Sequence, residues 1–158
     1  MKFVIYCDGS ARNNGYENAV GAWAYVVLNE QEEILAKNCS AVKGATNQQM
    51  ELMAAAEALE YLFHNEICAP FDSIEVVTDS AYLHNCVAQK WYINWERNGW
   101  KTAKKQPVAN KEIWERLVKF FEMPEVQFIK TRSHVGIKWN EYVDTMAQTA
   151  SLAAKEIL

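Results

Sequence analysis

Asp8, Glu51, Asp79 and Asp144 are acidic residues that a fold could bring to one place. Glu51 lies one turn inside a helix that opens Thr46-Asn47-Gln48-Gln49, with Thr46 as N-cap and Gln49 at capping-box spacing. At helical period its face continues through Ala54, Ala55, Ala58 and Leu62, while Gln49, Met53, Glu57, Glu60 and His64 line the other side. Glu51 therefore heads the small, apolar stripe that turns toward the protein. A glutamate in a first turn ordinarily complements the helix dipole at the surface; on a buried stripe its charge needs compensation. Asp8 and Asp79 each close an apolar run, Ile5-Tyr6-Cys7-Asp8 and Val76-Val77-Thr78-Asp79. Taken alone, Asp79-Ser80 is an ordinary helix N-cap. On parallel neighbouring strands, however, both aspartates leave the same sheet edge, where open α/β sheets bind ligands. Asp144 repeats the Glu51 arrangement, one turn into the last helix with Ala147, Ser151 and Ala154 beside it. Carboxylates gathered so closely repel one another and call for a shared cation. Oxygen ligands without Cys or His select a hard ion, Mg2+ with Mn2+ as substitute. Such a cluster can hold two ions, one activating a water and the other stabilising the leaving oxygen of a phosphodiester.

The elements that must position these acids follow from the chain's periodicity. Residues 2–7 are apolar on both alternating faces, the pattern of a central strand covered on both sides. The run stops at Asp8-Gly9-Ser10, before a polar loop over 11–18 with the turn chemistry of Asn13-Asn14-Gly15. Strands over 19–28 and 34–42, joined as a hairpin through 29–33, complete an antiparallel meander. The long helix should end near Asn65, and a strand over 73–78 can then lie parallel to the first by a crossover. Helices are predicted over 81–89, over 91–98 with Gly99 closing it, and over 111–121 with Ile113, Trp114, Leu117 and Phe120 or Phe121 inward. A strand over 126–130, a loop over 131–139 and a helix over 140–157 finish the chain. That order predicts one α/β domain with a mixed five-stranded sheet.

Bulk composition narrows the class. At 158 residues, 50% apolar and 23% charged, the chain reads as one ordinary globular domain. It has no apolar run long enough for a transmembrane helix, and its N-terminus enters a strand without a signal-peptide core. No membrane association and a cytoplasmic location are expected. Cys7, Cys39, Cys68 and Cys86 form no C-x-x-C pair, and His64, His84 and His134 are scattered, so no zinc site is spelled out. Free thiols in a reducing compartment are the simplest reading. The net charge of −4 weighs against a nucleic-acid partner. Its distribution weighs the other way. Lys90, Arg97, Lys101, Lys104, Lys105 and Lys111 face one acid, Glu96, with Trp91, Trp95 and Trp100 among them. Such a stretch is the footprint of a duplex backbone, the lysines meeting phosphates and the tryptophans mainly packing.

Asp8-Gly9-Ser10, Thr46-Asn47-x-x-Met50-Glu51-Leu52, Thr78-Asp79-Ser80, Ser133-His134-x-Gly136 and Asn140-Glu141-x-x-Asp144 resemble, in order and spacing, type 1 ribonuclease H. Asn94-Trp95-x-x-x-Gly99-Trp100-Lys101-Thr102 resembles the basic protrusion of the bacterial enzymes. Each motif is weak alone; in register from Phe3 to about Ala150 they are specific. The resemblance implies strand order 3-2-1-4-5 and endonucleolytic cleavage of the RNA in an RNA–DNA hybrid, leaving 5′-phosphate and 3′-hydroxyl ends. It implies a single catalytic domain over 1–158 with no hybrid-binding domain ahead of it, and a monomer is expected. Asp8, Glu51, Asp79 and Asp144 look like the metal-binding catalytic carboxylates. His134 looks like the residue that assists proton transfer or product release, which an imidazole titrating near neutrality can do. Asn14, Thr46 and Asn47 look like minor-groove and DNA-phosphate contacts, and Gly9 and Ser10 like points where backbone approaches RNA. Lys101, Lys104 and Lys105 look like contacts to DNA phosphates. Sensing 2′-hydroxyls across a wide minor groove is how RNA would be told from DNA.

The chain departs from that family pattern in two ways. Ala81 stands where many relatives carry a Gln that contacts substrate, and the protrusion is less basic than in the best-known bacterial members. Weaker hybrid affinity and stronger salt sensitivity are the expected consequences. Other branches of the superfold fit less well: proofreading exonucleases usually open Asp-x-Glu, integrases end on Glu, and junction resolvases carry two late acids close together. A non-catalytic hybrid-binding scaffold would not need all four acids and His134. A phosphoacceptor domain built on one strand-end Asp leaves Glu51 and Asp144 unexplained.

Overall fold

The computed structural model describes residues 1–12, 19–69, 72–131 and 138–157. Its frame is a five-stranded sheet in the order β3-β2-β1-β4-β5, as the resemblance implies. β1 (Lys2–Arg12), β2 (Val20–Leu28) and β3 (Ile34–Lys43) form the antiparallel meander. β4 (Ser73–Thr78) runs parallel to β1, and β5 (Val126–Lys130) parallel to β4. Parallel neighbours need crossovers. α1 (Asn47–His64) supplies the first, and α2 (Ala81–Gln89), α3 (Trp91–Arg97) and α4 (Lys111–Phe121) the second. α5 (Lys138–Ile157) follows β5 and begins two residues before the expected Asn140.

Strand periodicity assigns the two faces. Phe3, Ile5 and Cys7 of β1, Trp23, Tyr25 and Val27 of β2, and Ile74 and Val76 of β4 join the core with α1 and α4. Ala22, Ala24, Val26 and Leu28 turn the other way, onto Trp139, Val143 and Ala147 of α5, with Tyr6 packed at the margin. Side chains alternate along a strand, so Asp8, two after Tyr6, belongs to the α5 face. Asp79 belongs there too, out of step with Ile74 and Val76. The alanines at 22 and 24 keep that face shallow beneath α5.

β1 runs further than its sequence suggests. Asp8-Gly9-Ser10 reads as a break, yet pairing to β2 continues through Asp8↔Ala24, Gly9↔Trp23, Ser10↔Ala22 and Arg12↔Val20. The β4 ladder, by contrast, stops at Tyr6↔Val77. Asp8 is therefore a strand residue at the point where only one neighbour still pairs.

α1 starts as expected. The Gln49 N–H donates to Thr46 Oγ1 at 3.1 Å, and the Thr46 N–H donates to Gln49 Oε1 at 3.4 Å. Ala54, Ala55, Ala56 and Ala58 are fully buried, letting the helix lie close on the sheet. Its far side is not left to solvent, contrary to a simple amphipathic reading. Arg116 of α4 donates to both Glu60 oxygens at 3.0 and 2.5 Å and to Glu57 at 3.0 Å. α4 buries Ile113, Trp114, Leu117 and Phe120, with Phe121 only half-buried. α3 ends at Arg97, and Gly99 beyond it takes φ +68°, the left-handed turn a glycine tolerates. All four cysteines are free thiols. Among the described residues no helix is long and apolar enough to cross a membrane.

The Arg116 bonds hold Glu60 below its ordinary pKa, burial opposing them in part. A depressed carboxyl stabilises the fold above its unfolded pKa, and that contribution disappears as pH falls through the folded value. Glu60→Gln should therefore cost about 1 kcal/mol at pH 7, partly screened by solvent. The difference from wild type should shrink as pH falls below the ordinary glutamate range, as read from urea unfolding at several pH values.

Candidate active site

Glycine at position 9 sets the distance between β1 and α1. A Cβ there would overlap the Met50 carbonyl group and the Glu51 amide nitrogen. Strand backbone thus lies directly against the first turn of α1, and Glu51 arrives beside the segment that carries Asp8. Just beyond, the Ala11 N–H donates to Asn47 Oδ1 at 2.5 Å, tying the helix start to the strand's extension. Asp79 follows the last paired couple of β1 and β4, Tyr6↔Val77, by two residues, as Asp8 does within β1. The cap of α2 is Ser80, whose Oγ accepts from the Leu83 N–H at 3.0 Å. So it is not Asp79 that starts this helix.

Asp8 is 4% exposed. Burial pushes its carboxyl up to about 9, Asp79 and Asp144 add to the rise, and the Gly9 amide pulls back only weakly. Three elements, β1, β4 and α5, thus place their acids within electrostatic reach of one another. Glu51 is near enough to act on the buried Cys7 thiol together with Asp8 and Asp79; burial is the main cause of that thiol's upward shift. Asp144 accepts from Gln148 Nε2 at 3.0 Å, one turn along α5. Asn140 and Val143 close the cleft over Cys7, Asp8 and Asp79. Asn140 belongs to a motif singled out above but received no role there; its i−4 spacing from Asp144 was the available signal. Cys7 carried no such signal.

As the side chains stand, no three His, Cys, Asp or Glu among the described residues are set around a common point. Asp144 lies close enough to Asp8 to raise its carboxyl further, as neighbouring carboxylates do to one another. The donor set nonetheless suits a hard divalent ion: oxygen only, with Asp8 buried and Glu51, Asp79 and Asp144 half-buried around it. His134 and Asn14 lie outside the described residues. Gly9 is buried, Ser10 is half-buried, and Thr46 and Asn47 are exposed at the start of α1.

The basic segment folds into its own small hairpin. Lys101 bridges to Pro107, the Thr102 N–H donates to the Gln106 carbonyl at 2.7 Å, and the Val108 N–H to the Trp100 carbonyl at 3.0 Å. Lys101, Lys104 and Lys105 are exposed on it. The tryptophans pack, as expected: Trp95 lies 6.2, 5.9 and 5.4 Å from the rings of Trp91, Trp100 and Trp114.

The sequence matches the family described as RNase H over residues 1–152, and the chain belongs to that family of endoribonuclease hydrolases. It is 42% identical over 149 residues to a ribonuclease H of Clostridium botulinum, covering 94% of this chain and 95% of that one. Among solved structures it is similar to LC9-RNase H1, described as a type 1 RNase H with the type 2 active-site motif. That likeness has a TM-score of 0.78 at 23% identity, over 96% of this chain and 72% of the other. LC11-RNase H1, solved in complex with RNA/DNA hybrid, aligns with a TM-score of 0.68 at 20% identity, over 96% and 98% of the two chains.

Asp8 also makes a stability prediction. Its carboxyl is raised, so its contribution is whole below the ordinary value near 4 and declines as pH climbs toward about 9. Asp8→Asn should raise the stability of metal-free protein at pH 8, by on the order of 1–3 kcal/mol and a few degrees in Tm. The gain should be much smaller at pH 5. Thermal scans in chelator at both pH values check it.

Proposed function

We propose that this chain hydrolyses the RNA strand of RNA–DNA hybrids at the cleft between β1, β4, α1 and α5, leaving 5′-phosphate and 3′-hydroxyl ends. The observation that carries the reading is Asp8, buried and opposed by Asp79 and Asp144 from two other elements. Asp8, Glu51, Asp79 and Asp144 would hold two divalent ions, Mg2+ with Mn2+ able to replace it. Bound there, such ions supply charge stabilisation to the attacking and leaving oxygens of a phosphodiester. Membership of the ribonuclease H family supports the substrate class.

The chain's own groups do the rest. The four acids would ligate those ions through their carboxylate oxygens at the sheet edge. His134 takes or returns a proton beside the reacting phosphate. Gly9 and Ser10 bring backbone to the RNA, where 2′-hydroxyls distinguish it from DNA. Asn14, Thr46 and Asn47 read the minor groove and a DNA phosphate, Asn47 while its Oδ1 accepts from Ala11. Lys101, Lys104 and Lys105 meet the DNA backbone, a contribution that salt weakens. The chain acts as a monomer, in a reducing cytoplasm that suits its free thiols.

Incubation with labelled RNA–DNA hybrid, duplex RNA, duplex DNA and single strands, with and without Mg2+, tests this. Metal-dependent nicking of only the hybrid's RNA, abolished by Asp79→Asn, is expected. Binding without cutting would favour a scaffold. Ala81, exposed at the first turn of α2, gives a second test. Ala81→Gln should restore one substrate hydrogen bond and lower KM about 2–10-fold with kcat unchanged. Steady-state kinetics on the hybrid measure it.

A further inference from the structure

We infer that Thr131 and Asn140 form a positioning pair that holds Asp144 in register with Asp79. The inference rests on the reading that these carboxylates bind metal. Thr131 follows β5, and its N–H donates at 2.9 Å to the carbonyl of Thr78, the residue before Asp79. The Thr131 hydroxyl in turn accepts from Asn140 Nδ2 at 2.9 Å. Asn140 is 5% exposed and lines the cleft with Cys7, Asp8 and Asp79. It lies one turn before Asp144, on the same side of α5. A short chain of hydrogen bonds thus runs from the backbone at one acid to the helix that carries another.

The direction of this tie gives it its role. α5 lies on the sheet through Trp139, Val143 and Ala147 against the shallow alanines of β2. Apolar contact of that kind is non-directional and does little to stop a helix sliding along its axis. Trp139 Nε1 to Glu32, Lys37 to Tyr142, and Ser151 Oγ to the Val20 carbonyl tie α5 to β2, β3 and the turn between them. The Thr131–Asn140 bond ties it to the β4–β5 side, where Asp79 sits. Hydrogen bonds demand alignment, and a shift of α5 that broke this one would leave a buried amide unsatisfied. Groups that orient metal ligands in this way commonly set affinity as well as stability.

The test is calorimetric Mg2+ binding by the wild-type chain, Thr131→Val, Thr131→Ser, Asn140→Ala and Asp144→Asn, with the metal-free Tm of each. Thr131→Val and Asn140→Ala should each weaken Mg2+ about 10-fold, Thr131→Ser should bind like wild type, and kcat on hybrid should fall with KM unchanged. Should either disruptive variant fold with lowered Tm yet bind Mg2+ as tightly as wild type, the pair is structural only and the inference is overturned. Absence of Mg2+ binding in the wild-type chain itself would defeat the underlying metal reading, and is told apart by needing no variant.

Discussion

No side chain fits between β1 and α1 at residue 9, and the architecture of the cleft follows from that constraint. With a Cβ excluded, strand backbone and helix backbone meet directly at Met50 and Glu51. Gly21 on β2 is nearly as tight, since a Cβ there would crowd Ala45 and Met50. The helix is thereby pressed onto two adjacent strands at its first turn, where the capping box fixes its start. The alanines that follow prolong the close approach. An acid placed at the head of such a helix has little choice but to stand beside the sheet edge. Glu51 reaches the sheet edge because position 9 carries no side chain.

The same geometry sets folding against chemistry. Asp8 sits under α5 on a face otherwise built of Ala22, Ala24, Val26 and Leu28, and its charge is opposed by burial and by two further acids. A chain selected only for stability would place an amide or an apolar residue there. The surrounding core absorbs the cost. Phe3, Ile5, Leu52, Leu59, Leu62 and Trp114 are buried almost completely, and Arg116 locks α4 to the outer side of α1. The larger core, between the sheet and α1–α4, lies across the sheet from the smaller one under α5, whose face also carries Asp8.

Much of this was legible from residue order alone. The alternation in 2–7, the capping box at Thr46 and the apolar run before Asp79 predicted a mixed sheet in which Asp8 and Asp79 could close neighbouring parallel strands, while the strand order came from the family resemblance. These are local signals, of period two or one turn. What escaped depended on contacts distant in sequence. Gly9-Ser10 carries turn chemistry, yet β1 continues because β2 offers Trp23, Ala22 and Val20 as partners; tertiary pairing overrides local propensity. Glu57 and Glu60 read as a solvated helix face because Arg116 lies far down the chain. Asn47 was read as a substrate contact alone, and its bond to Ala11 depends on that same unforeseen extension of β1. Asn140 was visible within its motif, but only Thr131, brought up by β5, reveals what it holds.

The proposed function requires that Asp8, Glu51, Asp79 and Asp144 share a pair of cations. Anomalous scattering from a crystal soaked in Mn2+ addresses it most directly. The account predicts two peaks in the cleft, bounded by Asp8 and reached by Glu51, Asp79 and Asp144. Manganese bound only elsewhere on the chain, with that cleft bare of density, would contradict it.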